Sequence, residues 1–155
     1  MIIPENIRKF LIPACRKALD QRVGAARNYL DTVNESVNDE TKSTAGDKHE
    51  TGRAMAQIEQ EKAQKQLNEA TRMQDEFLRL STSSGSASNI ISISSIVLTD
   101  KQHFFISVPL GSVQTDYGTF QVISPVSPIG KMMLGRREGE KLEFNGNTFV
   151  IEKVL

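Results

Sequence analysis

Apolar side chains recur every three or four residues from Ile12 to Val37, and no other feature of the sequence constrains the fold as tightly. Ile12, Leu19, Val23, Ala26, Leu30, Val33 and Val37 keep the rhythm, broken only at Arg16. On a helix such a row forms a stripe along one face. Sustained over more than three heptads, it is the pattern of a coiled-coil strand, which must bury the stripe against a partner. A rougher row, Met55, Ile58, Ala63, Leu67, Ala70, Met73 and Phe77, offers that partner. Between the rows, Asn38 to Glu50 is polar and contains Ser43, Thr44 and Gly46, which predicts a turn. Helices joined by a short turn pack antiparallel. Residues 13–80 are therefore expected to form an antiparallel helical hairpin with arms of roughly 35 to 45 Å. Pro13 is placed in its first turn, where a missing N–H costs little.

The period changes after Ser81-Thr82-Ser83-Ser84-Gly85-Ser86-Ala87-Ser88, a run too polar to bury itself and so expected to act as a linker. Beyond it the apolar residues come closer to alternation. Ile91, Ile93 and Ile96-Val97-Leu98 predict one strand, Phe104 to Val108 a second and Thr119 to Ile123 a third. Ser127 is a good N-cap, Pro128 a good first helical residue and Gly135 a good stop, which together mark a short helix. Leu142-Glu143-Phe144 and Thr148 to Ile151 flank Asn145-Gly146-Asn147, a strong hairpin signal. The expected class is α+β. A helical hairpin occupies residues 1–80, a serine-rich linker 81–88, and a small antiparallel sheet with one helix 89–155.

Charge is distributed unevenly although the total is zero. Residues 1–30 hold six basic side chains against two acidic, and residues 62–80 hold four against three. Residues 31–61, the far end of the hairpin, hold eight acidic against three basic. The hairpin thus has a basic base and an acidic tip. Solvated helices and turns also carry charge without any further role. Neither bulk affinity for nucleic acid nor adsorption to an anionic membrane follows from the zero total.

Several chemistries are excluded. Cys15 alone forms no internal disulfide. It falls near the hairpin base and His49 near the tip, so the two form no nucleophilic pair, and Cys15 is expected to be a buried seam residue. Two histidines and one cysteine make no metal-ligand cluster. The glycines form no phosphate-loop spacing. Met132 and Met133 are expected to pack into the core. Of Phe104 and Phe105, one must point inward in any strand. Met1 to Asn6 lacks the apolar run of a secretory signal, and no stretch approaches the ~18 apolar residues of a membrane span. The expectation is a cytoplasmic protein with no membrane association and no small-molecule substrate.

One segment carries a resemblance. Ser127-Pro128-Ile129-Gly130-Lys131-Met132-Met133-Leu134-Gly135-Arg136-Arg137-Glu138-Gly139-Glu140 is similar to the Ser-Pro-Ile, Leu-Gly-Lys and Gly-Asp elements near the end of the Gre transcript-cleavage factors. The flanking Gln121 to Ser124 and Phe149 to Val154 resemble that family's adjoining strands, and a helical hairpin ahead of the block is the family's order. Close matching is confined to roughly the last 35 residues. The resemblance implies an immunophilin (FKBP)-like C-terminal domain that docks on RNA polymerase through Ser127, Pro128, Ile129, Arg136 and Arg137. It implies too a hairpin that enters the secondary channel, carrying Asp39, Glu40, Asp47 and Glu50 toward the polymerase's magnesium. The chain would be no enzyme itself, at most a co-catalyst of the polymerase's own RNA cleavage. It would need no cofactor, Mg2+ belonging to the polymerase, and its basic base would touch nascent RNA. Gre tips read Asp-x-x-Glu-Asn-x-Glu-Tyr-His. With His49 set on that histidine, Asp47 takes the third acidic position, while the first two fall on Thr41 and Thr44. The family also contains channel occupants that do not promote cleavage, and that alternative stays open. So does a coiled-coil scaffold unrelated to transcription.

Overall fold

The computed structural model describes residues 2–42, 46–82 and 88–155, and their side chains except those of residues 40–42 and 46–49. Two long helices come first, α1 (Arg8–Lys42) and α2 (Gly46–Thr82). There follow β1 (Ile96–Thr99), β2 (His103–Ile106), β3 (Gly111–Thr115), β4 (Gly118–Ile123), α3 (Pro128–Met133), β5 (Lys141–Phe144) and β6 (Asn147–Val154). The chain divides into two compact units. One comprises residues 1–18 and 75–155, the other residues 19–74, so each long helix contributes to both.

In the unit of residues 19–74 the helices pair as an antiparallel hairpin. Asp20 accepts from Gln74 Nε2 at 2.6 Å, and Asn34 accepts from Gln60 Nε2 at 2.7 Å. As position rises along α1 it falls along α2, which fixes the direction and the register. Leu19 and Val33 are buried, with Val23, Ala26, Leu30 and Val37 half-buried between and beyond them, as the spacing predicts. At about 1.5 Å per residue, residues 19–42 and 46–74 run about 36 and 44 Å.

The second helix corrects the sequence reading. Met55 and Ile58 are 65% and 62% exposed. The inward face of α2 is instead Gly52, Ala56, Glu59, Gln60, Ala63, Leu67, Ala70, Met73 and Phe77, all buried or half-buried. Small residues at helical spacing let the helices approach, and that turns Met55 and Ile58 outward. The expected turn from Asn38 to Glu50 is also largely helical, because polarity without proline or paired glycines does not stop a helix. Ser43 and Thr44 lie outside the described residues, as do 83–87 of the serine-rich stretch.

Pro13 is interior to α1 rather than in its first turn. The helix begins earlier because Ile7, Leu11 and Cys15, four residues apart, are fully buried and extend the apolar row backward. Turn hydrogen bonds from Ile7 N to Pro4 O (3.0 Å) and Lys9 N to Asn6 O (2.9 Å) start the coil. Pro13 is exposed, so its ring faces water while the lost backbone bond is offset by burial of the opposite face.

The unit of residues 1–18 and 75–155 is built on a six-stranded sheet of order β3-β4-β2-β1-β6-β5. Every pairing is antiparallel except β2 with β4, where His103 pairs with Phe120 and Ile106 with Ile123. Strand β3, of sequence Gly-Ser-Val-Gln-Thr, has no apolar run to announce it and owes its conformation to pairing with β4. Residues 90–95 are not a strand. Ile91 is buried, Ile93 is 47% exposed, and Ser94 adopts φ +76°. One face of the sheet packs Val97, Phe104, Ile106, Phe149 and Ile151 against Met133 of α3 and Leu142. Across the other face, Phe77 of α2 meets Phe105 edge-on at 6.4 Å, and Phe10 of α1 meets Tyr117 at 4.9 Å. Both Phe104 and Phe105 are therefore buried, one on each face.

The short helix follows its local signals closely. Ser127 caps α3, its Oγ accepting from Gly130 N at 3.1 Å. Gly130 is required by close approach: a Cβ there would collide with the Ser124 carbonyl oxygen and stand 2.9 Å from Ser127 Oγ. Met133 is buried but Met132 is 37% exposed, because successive helical residues point about 100° apart and cannot both face the core. Asn145 (φ +50°) and Gly146 (φ +76°) make the two-residue turn between β5 and β6.

Candidate functional site

The acidic candidates lie at the adjoining ends of α1 and α2. Asp39 and Glu40 fall within the last four residues of α1, and Asp47 and Glu50 within the first five of α2. Asp39 and Glu50 are exposed, while the side chains of Glu40 and Asp47 lie outside the described residues. Helix electrostatics separates the two pairs. Near the start of α2 a carboxylate complements the positive end of the helix dipole. Near the end of α1 each one is disfavoured, by about 0.3–1 kcal/mol at low ionic strength. Helix stability thus accounts for Asp47 and Glu50 but not for Asp39 and Glu40. Among the described residues no three His, Cys, Asp or Glu side chains converge to hold a metal. These acids could act on a cation only together with ligands from a partner.

The C-terminal candidates separate by exposure. Ser127 is half-buried, its hydroxyl bonded to Gly130 N and Ser124 O, and Ile129 packs on the sheet core. Both hold α3 in place. Pro128 is exposed, beside Val126 at 72%. Arg136 and Arg137 are exposed beyond α3, where the backbone is tied down: Ile91 N donates to Arg136 O at 2.8 Å and Arg137 N to Glu140 Oε2 at 2.9 Å. The Arg136 Nε makes a long bond to Met132 O at 3.4 Å. Two guanidinium groups on an anchored loop can meet carboxylates of a partner.

The basic base is partly consumed within the fold. Arg8 Nη2 donates to Ser94 O at 2.6 Å and to Leu155 O at 3.3 Å, and its guanidinium lies 5.7 Å from the Phe105 ring. Ser94 Oγ donates in turn to Leu80 O at 3.3 Å. Arg8 therefore ties the start of α1 to the sheet, a role that no sequence spacing signals. Lys9, Arg16, Lys17, Arg22 and Arg27 remain exposed. Cys15 is fully buried with its thiol pushed up to about 12 by desolvation, which makes it inert as a nucleophile. His103 is held below its ordinary value by burial, with Glu152 opposing, and its Nδ1 is buried without a partner. None of these groups forms a catalytic pair with another.

A pair of clefts in the unit of residues 19–74 escaped the sequence reading. One, of about 390 Å³, lies among Arg22, Ala26, Tyr29, Glu69, Ala70 and Met73. The other, also about 390 Å³, lies among Val33, Ser36, Gly52, Met55, Ala56 and Glu59. The small residues of α2 recurring at helical spacing were the available signal.

No family model matches the sequence, and no curated protein matches it. Among solved structures, the chain is similar to GreA factor homologue 1 of Thermus thermophilus, at 19% identity over 90% of this chain and 94% of that one, with a TM-score of 0.35. It is similar to the transcription factor Gfh1, at 20% identity over 91% and 93%, TM-score 0.38. It is similar also to Gfh1 of Thermus aquaticus, at 16% identity over 92% and 94%, TM-score 0.33.

Proposed function

We propose that the protein is a Gre-type factor that binds RNA polymerase and inserts its acidic-tipped hairpin into the secondary channel. The observation that carries this reading is the placement of Asp39 and Glu40 in the last turn of α1, facing a helix-dipole penalty that folding does not explain. Asp47 and Glu50 adjoin them across a three-residue connection. Carboxylates delivered to a polymerase-bound magnesium can help hold a second ion and orient a water for phosphodiester hydrolysis. The polymerase supplies the remaining ligands, so the chain is a co-catalyst and not an enzyme. Exposed Arg136, Arg137 and Pro128 offer the docking surface, and Lys9, Arg16, Lys17 and Arg27, exposed on α1, are the basic residues offered to nascent RNA. A second reading is favoured by Thr41 and Thr44, which stand where the family's first two acids would fall: the hairpin then occupies the channel without promoting cleavage.

The test uses a backtracked elongation complex. Under the first reading the protein accelerates release of short 3′ RNA fragments, and the combined substitutions Asp39→Asn, Glu40→Gln, Asp47→Asn and Glu50→Gln abolish that effect while core-enzyme binding survives. Binding with no cleavage at any magnesium concentration selects the second reading. Absence of polymerase binding defeats both.

A further inference from the structure

The two clefts of the hairpin are alike in composition but not in occupancy. Each is lined by small or branched apolar residues, a methionine and a glutamate. In the first, the chain supplies its own cation: Arg22 lines the cleft and donates from Nη1 to Met73 Sδ at 3.4 Å. The glutamate there, Glu69, is paired with Lys65 at 4.0 Å. The second cleft is lined by Val33, Gly52, Ala56, Met55 and Glu59 together with Thr32 and Ser36, with no Lys or Arg among its lining residues. Among the described residues no basic group pairs with Glu59. The hydroxyls of Thr32 and Ser36 donate to carbonyls of their own helix, leaving their oxygen lone pairs as acceptors along the same cleft.

From this contrast we infer that the cleft at Met55 and Glu59 receives a lysine or arginine side chain of a protein partner. The aliphatic stem lies along Val33, Ala56 and Met55, and the cationic head meets Glu59 and the hydroxyl oxygens, as long basic side chains do when their stems cover apolar surface. Charge selects this occupant over others. Residues 31–61 carry eight acidic against three basic side chains, which disfavours a nucleic acid, an anionic lipid surface or the acidic tip of a second copy. The inference deepens the polymerase reading by naming the chemistry of the contact. It rests on that reading only for the identity of the partner.

Two measurements separate the inference from the reading. In the first, n-butylguanidinium, which reproduces an arginine side chain, is titrated into the full-length protein and followed by amide NMR. Shifts are expected at Val33, Gly52, Ala56 and Glu59 at roughly millimolar concentration, lost in Glu59→Gln and absent with uncharged n-butanol. In the second, polymerase core enzyme is titrated with wild type, Glu59→Gln and Ala56→Leu, the last filling the cleft without changing charge. Affinity is expected to fall about five- to tenfold for Glu59→Gln and at least about tenfold for Ala56→Leu. Shifts that are absent, or that spread equally over both clefts, overturn the inference. So does wild-type affinity in both variants, which leaves the polymerase reading intact. Mapped shifts with no polymerase binding at all uphold the cleft and remove the polymerase as its partner.

Discussion

Replacing Arg8 with methionine keeps the apolar stem of the side chain and removes its guanidinium. The loss is dominated by one charge-assisted bond, Nη2 to Ser94 O at 2.6 Å, of the kind that contributes about 1.5–3 kcal/mol. The contacts to Leu155 O at 3.3 Å and Ser94 Oγ at 3.4 Å are too long to add much. The Phe105 ring at 5.7 Å adds about 0.5–1 kcal/mol in a half-buried setting. Ser94 is buried, so its carbonyl left unpaired moves the loss toward the upper part of that range. The expected cost is about 2–3 kcal/mol. Amide hydrogen exchange at Ile106 and Val122, in the sheet strands of the same unit, should then quicken about 30-fold or more, since each 1.4 kcal/mol is a factor of ten. The distal amides of residues 19–40 should change far less. Arg8→Lys should be intermediate, because a point charge retains attraction to Ser94 O but not the planar fork. An Arg8→Met protein whose sheet amides exchange within threefold of wild type would refute the assignment of Arg8 as the tie between α1 and the sheet.

Two further outcomes follow from buried positions. Gly130→Ala should cost about 3 kcal/mol or more, measured as a lowered urea midpoint, because the added methyl meets the backbone carbonyl of Ser124, which cannot yield as a side chain would. His103 is depressed below its ordinary value of 6.5 by burial, so the folded state binds fewer protons than the unfolded. Its contribution to stability is present above about pH 6.5 and is lost as pH falls, with a slope of at most about 1.4 kcal/mol per pH unit. Urea midpoints at pH 7.5 and 5.5 should show this decline, and His103→Phe should flatten it.

Signals that act over a few residues could be read directly. The cap at Ser127, Pro128 as the first residue of α3, and the Asn145-Gly146 turn each depend on neighbours in sequence, and each holds in the fold. The α1 seam was equally legible from Leu19 to Val37, since a helix that long has only one way to gather those side chains on a face. The position of the acidic candidates at adjoining helix ends followed from the same pattern, because an antiparallel pair sets the end of one helix beside the start of the next.

What remained was decided by partners distant in sequence. Strand β3 is polar and becomes a strand only because β4 offers it hydrogen bonds, and the parallel pairing of β2 with β4 crosses a connection that no local rule anticipates. Pro13 lies inside a helix because Ile7 and Leu11 extend its buried face. Met55 and Ile58 face water because small residues on the other side of α2 allow closer packing against α1. That rotation also opens the cleft at Glu59. Arg8 reads in sequence as one more basic residue, yet in the fold it is committed to the carbonyl of Ser94, 86 positions away. Periodicity specifies which residues share a face; which face meets which neighbour, and what that leaves open, is settled by packing the whole chain.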